Sequence, residues 1–224
     1  PTATGASPLD LAAANCHDGA IAVLRQKRPP QERDAGLARP LALAAGRCGE
    51  ATLAALLEAA PAASTAIDAR DRDGRTPLWH AADKANGAAS AYLLKRGAKT
   101  TLADSAGETP LYRAAGHPEV LELLIARGGN LDGAQRDGTT PLMRAATLGE
   151  SRSVGLLIAK GAAVNPRNRF GQSALMLAAS AGHVDVARKL LAAGADRGLR
   201  NKRRETAHDI ATTHGHEMFA ELLK

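Results

Sequence analysis

Aromatic side chains are nearly missing from this chain: one Trp, two Tyr and two Phe make up 2% of 224 residues. A core of large rings is therefore excluded, and small apolar side chains, chiefly Ala and Leu, must pack closely to fill the interior. Cysteine is equally scarce. Cys16 and Cys48 are too few to define a disulfide framework, and neither belongs to a C-x-x-C pair. No stretch approaches the roughly 18 uninterrupted apolar residues of a membrane helix, so the chain is expected to be soluble, without membrane insertion. An initiator Met is absent too, which implies removal of N-terminal residues and leaves export open, with bacterial periplasm or cytoplasm as the expected compartments. Catalytic signatures are also lacking: there is no G-x-S-x-G, no phosphate-binding glycine loop and no Cys-His nucleophile pattern. The seven histidines include "HGHE" at 214–217, but that pair straddles a glycine rather than sitting one helical turn apart, so no metal or other cofactor is expected.

What the chain has is repetition. "DGRTPLWHAA" at 73–82 returns as "AGETPLYRAA" at 106–115, "DGTTPLMRAA" at 137–146 and "FGQSALMLAA" at 170–179. The proline of this phrase falls at 8, 40, 77, 110 and 141, with Ala174 and Ala207 in its place afterwards, giving spacings of 32, 37, 33, 31, 33 and 33 residues. A fixed period of this size is read before any single motif. It divides one domain, 1–224, into units near 1–32, 33–69, 70–102, 103–133, 134–166, 167–199 and 200–224.

Each unit explains itself locally. Ser7, Thr76, Thr109, Thr140, Ser173 and Thr206 precede the proline position, where a hydroxyl can cap free amides, and proline is tolerated in the first helical turn. A leucine and an alanine pair then share one helical face, as in Leu78 with Ala81 and Ala82. A second helix ends in an aliphatic pair such as Leu157-Ile158 or Leu190-Leu191, followed by a stop glycine. "DRDG", "DSAG", "QRDG" and "NRFG" are turns between units. Two short helices and a projecting hairpin make one unit.

With Gly182-His183, Gly215-His216 and "AKGAAVN" at 159–165 added, the chain resembles the ankyrin repeat family over essentially its whole length. The resemblance implies an all-α solenoid of stacked helix-turn-helix units with β-hairpin fingers, a non-enzymatic protein that binds another protein through its concave face and finger tips. Departures are visible. Asp10, Ala42, Trp79, Tyr112, Met143, Met176 and Asp209 stand where the family has histidine, so the hydrogen bond of that histidine is expected to be absent. "AAPAAST" at 59–65 lengthens the loop of the second unit, and two residues are missing after Ala115, shortening the first helix of the fourth. Arg204 replaces a turn glycine, and His208, Asp209 and Thr212 suit a solvent-facing cap.

Two surfaces are candidates. Trp79, Tyr112, Met143 and Met176 form one row beside His80, Arg113 and Arg144, which face away from the Leu-Ala stripe; interfaces favour Trp, Tyr and Arg in clusters. The alternative is that large residues at helical spacing serve the core. The second surface is the finger edge, with Arg72, Arg136, Arg169 and Lys202 at one equivalent position and Phe170 beside Arg169. A positive edge suits an acidic partner, although Asp71, Asp73 and Asp137 could neutralise it. "RNKRRE" at 200–205 could touch phosphates, yet stacking on single strands needs more exposed aromatics, so nucleic acid ranks below protein. The net charge of +6 rests mainly on arginine, a coding bias that points to a bacterial source. The expected role is an inhibitor or immunity protein, monomeric without its partner, that neutralises a partner or toxin through an acidic and apolar contact surface; the alternative is a scaffold that recruits an enzyme. Cys16 and Cys48 each lie eight residues past a helix-start proline, on helices stacked roughly 8–10 Å apart. A disulfide wants α-carbons about 4.4–6.8 Å apart, so two free, buried thiols are expected.

Overall fold

A computed structural model describes residues 6–27, 36–57 and 66–224. Among these, fourteen α-helices follow one another in pairs. They are α1 (Pro8–Ala14) with α2 (Asp18–Gln26), α3 (Ala38–Arg47) with α4 (Glu50–Leu57), α5 (Pro77–Asp83) with α6 (Gly87–Lys95), and α7 (Pro110–Arg113) with α8 (Pro118–Ala126). α9 (Pro141–Leu148) with α10 (Ser151–Ala159), α11 (Ala174–Ala181) with α12 (Val184–Ala192), and α13 (Ala207–Thr213) with α14 (Glu217–Leu222) complete the order. The lengthened loop expected at 59–65 lies outside the described residues.

The hydroxyl caps form as the sequence requires. Ser7, Thr76, Thr109, Thr140, Ser173 and Thr206 each accept a hydrogen bond from the amide three residues on, at 3.1–3.4 Å. At the two ends the histidine position holds an aspartate, and it closes a reciprocal cap: Asp10 accepts from the Ser7 amide and Asp209 from the Thr206 amide, both at 2.8 Å. At Asp10 and Asp209 the position thus carries a side-chain hydrogen bond of its own, a carboxylate's and not a histidine's. α7 is cut to four residues and continues as a 3-10 turn over Ala114–Gly116, the shortening that the two missing residues demand.

First helices pack on first helices and second on second along the whole chain. Leu78, Ala81 and Ala82, like Leu111, Ala114 and Ala115 or Leu175, Ala178 and Ala179, are fully enclosed between neighbouring units. The small alanines let the helices approach, so burial is shared between neighbours instead of gathered in one centre.

The fingers are turns, not strands: no β-strand is present among the described residues. In the finger over 71–75 the Asp71 carboxylate accepts from the amides of Asp73 and Arg75, both at 2.9 Å, and Asp104, Asn168 and Asn201 repeat the pattern. Successive fingers join through one recurring main-chain hydrogen bond, to which Arg70 and Arg167 add guanidinium contacts with the Ala103 and Arg200 carbonyls at 3.1 and 3.4 Å. The amides of Ser105, Arg136, Arg169 and Lys202 donate to the carbonyls of Asp73, Ala106, Asp137 and Phe170 at 2.6–3.0 Å. Arg204, at φ 68, takes the left-handed turn conformation that Gly171 takes, at φ 75, in the preceding finger.

Cys16 and Cys48 are joined, with α-carbons 5.5 Å apart, against the expectation of two free thiols. The helix-axis spacing does not apply, because neither residue sits inside a helix. Cys16 lies in the turn after α1 at a left-handed φ of 56, and Cys48 is the extended residue that ends α3. Each backbone swings its side chain toward the other, and Cys48 is buried while Cys16 is exposed.

Candidate partner-binding surface

Trp79, Tyr112, Met143 and Met176 are no more than 4% exposed. Each is the third residue of its helix, with its amide on the capping hydroxyl, and its side chain fills the space between successive first helices. The apolar half of the expected patch is thus interior, as the helical-spacing alternative has it.

Guanidinium groups cover the two aromatic rings. Arg75 and Arg113 lie over the Trp79 ring at 4.6 and 4.8 Å from its centroid, and Arg144 lies over Tyr112 at 5.1 Å. Arg75 and Arg113 are themselves anchored by acids of their own and of neighbouring units. Arg113 is ion-paired with Asp83 of the unit before it and with Glu108 of its own, the latter at 3.2 Å. Arg75 meets Asp73 at 3.0 Å and Asp104 at 3.7 Å. His80 Nε2 stands 2.8 Å from Asp71 Oδ2, with its ring edge-on to Trp79. His80 and Arg113 therefore have structural work, contrary to their reading as free surface groups.

The electrostatics agree with anchoring. Burial pushes the Asp83 carboxyl up, but Arg113 and Lys84 outweigh it and hold it below the ordinary value. Burial likewise raises Asp71, and the His80 hydrogen bond with the amides of Arg75 and Asp73 brings it below. Burial alone would lower Arg113; Asp83 and Glu108 reverse that and raise it. Burial raises the Tyr112 hydroxyl, opposed by its hydrogen bond with Arg144. Sequence reasoning missed Arg75, Asp83, Asp104 and Glu108. For Arg75 with Asp104 and Arg113 with Asp83 the signal was an opposite charge one repeat away, which a local window does not bring together; Glu108, five residues from Arg113, was within reach.

The finger edge differs. Arg72, Arg136, Arg169 and Lys202 are exposed in one line. The fingers over 70–75, 103–108 and 134–139 balance Arg70, Arg72, Arg75 and Arg136 with five carboxylates, whereas those over 167–172 and 200–205 hold six cations against Glu205 alone. Phe170, 48% exposed, projects from the sixth finger with the Arg169 guanidinium 4.8 Å above its ring. Beside it lies a cleft of about 450 Å³ between the last two fingers and α13, lined among others by Phe170, Gln172, Lys202, Arg203 and His214.

The histidines of "HGHE" face carbonyls. His214 Nδ1 stands 2.8 Å from the Ile210 oxygen and His216 Nε2 3.2 Å from the Ser180 oxygen. Among the described residues no group of three or more His, Cys, Asp or Glu could hold a metal ion, and no helix is long and apolar enough to cross a membrane.

A family model for ankyrin repeats in three copies matches residues 41–134, 92–168 and 142–224. Human neurogenic locus notch homolog protein 4 is 45% identical over 78 residues, 34% of this chain and 4% of that protein. Human neurogenic locus notch homolog protein 1 is 41% identical over 81 residues, 35% of this chain and 3% of that protein. Human ankyrin repeat domain-containing protein 63 is 37% identical over 89 residues, 37% of this chain and 23% of that protein. The chain thus spans a small share of the curated relatives it matches.

Proposed function

The chain belongs to the ankyrin repeat family, whose repeats are protein-interaction modules, and from that premise we propose that it binds another protein along its first-helix and finger face. The observation that carries the reading is the division of labour among the fingers. A recurring main-chain hydrogen bond links them, so the side chains of Arg72, Arg136 and Arg169 stay exposed, Arg169 resting only on the exposed Phe170 ring. Apolar anchoring by the buried Trp79, Tyr112, Met143 and Met176 is replaced by contact with the guanidinium groups that cover Trp79 and Tyr112. The partner is expected to bring carboxylates, and neutralisation of that partner is the finer reading, with recruitment of an enzyme as its alternative.

The Cys16–Cys48 disulfide further supports an oxidising compartment such as the bacterial periplasm, because cytosolic thiols are kept reduced. The test is capture of the partner from native lysate, then titration calorimetry against the exposed-tip variant Arg72→Ser/Arg136→Ser/Arg169→Ser. An affinity loss of about tenfold or more supports the reading. Full affinity in that variant and in Arg144→Ala would sink it. Loss of the captured protein's own activity on binding favours neutralisation; retained activity favours recruitment.

A further inference from the structure

The cations of this protein are of two kinds. Arg75 and Arg113 are fixed by carboxylates of adjacent units and cover a buried ring. By contrast, among the described residues no carboxylate lies within ion-pair distance of Arg167, Arg169, Arg200, Lys202, Arg203 or Arg204. The one acid lining the cleft beside them, Glu205, accepts a hydrogen bond from Asn201 Nδ2 at 2.9 Å. Like charges gathered this closely raise the local positive potential and destabilise the free surface, Asp137 and Asp209 offsetting it only through attraction to Arg169 and Arg200, and a bound anion relieves both.

The same cleft has an apolar wall. One finger position reads Asp73, Ala106, Asp137, Phe170 and Arg203 in successive units, so the large exposed ring appears only where the charge balance turns positive. Ile210 and Phe170 lend the cleft apolar surface, and Lys202 and Arg203 stand on its rim side of the last finger. A volume of about 450 Å³ takes a large side chain with its flanking backbone.

We propose that this cleft docks an acidic segment of the protein partner, seating one aromatic side chain against Phe170 while flanking carboxylates meet Lys202 and Arg203. The proposal rests on the protein-binding reading above and names the chemistry of the segment. A nucleic-acid strand fits less well, since base stacking along a strand uses a series of exposed aromatics and the cleft offers Phe170 alone.

The test uses the full, oxidised chain and fluorescence anisotropy with four probes: a labelled peptide of Asp and Glu around one Phe, its Phe-to-Ser counterpart, its Lys/Arg counterpart, and an eight-residue oligothymidylate. The acidic Phe peptide should bind most tightly, and the Ser peptide about tenfold more weakly. Phe170→Ala should weaken the Phe peptide by about tenfold and leave the Ser peptide unchanged, while Lys202→Glu/Arg203→Glu should abolish binding of both. Unchanged circular dichroism establishes that the variants are folded. The proposal is overturned if the Lys/Arg peptide or the oligothymidylate binds as tightly as the acidic Phe peptide, or if the variants change nothing. The captured partner separates the two levels. Lost affinity in the exposed-tip variant with no peptide binding removes this proposal and keeps the protein-binding reading; full affinity in every finger and first-helix variant removes both.

Discussion

Reduction of the Cys16–Cys48 bond gives the sharpest test of how stability is distributed. The two residues are 32 apart, and closing a loop of that length removes about 3.7 kcal/mol of chain entropy from the unfolded state at 25 °C. In a one-dimensional stack that loss falls on the units it links, because each unit is held only by its neighbours. Among the described residues α1 and α2 pack against one neighbouring pair, α3 and α4. Reduction should therefore raise the opened fraction of this pair by up to about 500-fold relative to the oxidised protein. Hydrogen exchange read by mass spectrometry, on oxidised protein and on reduced, alkylated protein, measures this directly. Peptides over 8–26 should lose protection by up to two to three orders of magnitude, and those over 174–192 should keep it. Equal protection over 8–26 in both states would refute the loop-closure reasoning. Loss spread evenly through the chain would refute the neighbour-only picture. Replacing Cys16 by Gly instead of Ser in a Cys48→Ser background should recover about 1 kcal/mol, since Cys16 holds a left-handed φ of 56.

Three further outcomes are expected. Gly182→Ala should lower the melting temperature more than Gly194→Ala: both have positive φ, but a Cβ on Gly182 would stand 2.7 Å from the His216 ring and one on Gly194 meets nothing within 4 Å, a difference of about 1–3 kcal/mol in denaturant titrations. Asp71 and Asp83 have lowered folded values, so the stability they contribute is present above the unfolded value near ~3.9 and is lost as pH falls through the lowered ones; denaturation midpoints should drop below about pH 4, and Asp83→Asn should flatten that drop. An unchanged acid limb in Asp83→Asn would contradict the assignment. Ending the chain at Arg200 removes the buried Ile210 and Phe219 and uncovers the face of the preceding unit they pack with, which should bring aggregation by light scattering; a soluble, fully helical fragment would show that this unit does not act as a cap.

The period and the caps were legible because they are local. Thr76, Thr109 and Thr140 act on amides three residues away, and the short α7 follows from a count of residues. The site was harder to read, since it depends on contacts one repeat apart. Arg113 and Asp83 are 30 residues apart in sequence, and a helical wheel of either unit leaves both looking free. Trp79 and Tyr112 show the same limit from the other side: their wheel position is ambiguous, and only the guanidinium groups above them decide that they are covered. The cysteines failed for a different reason. Distances between helix axes say little about residues at helix ends, where one left-handed residue redirects a side chain. "RNKRRE" announced a basic run, but the cleft that gives it shape needs Phe170 from the preceding unit.

The line of main-chain bonds from finger to finger has a direction, each amide reaching back to the carbonyl of the finger before it. Since the recurring bond uses main chain only, the residues at the very tips can be rewritten while this spine stays in place. Asp73, Ala106, Asp137 and Phe170 already perform the same accepting role through four carbonyls while presenting acid, methyl, acid and ring to the outside. Tips are therefore interchangeable parts: putting the Arg169-Phe170 pair in place of Ser105-Ala106 should transplant its chemistry two places along the stack, while Asp104 and Glu108 stay to hold Arg75 and Arg113.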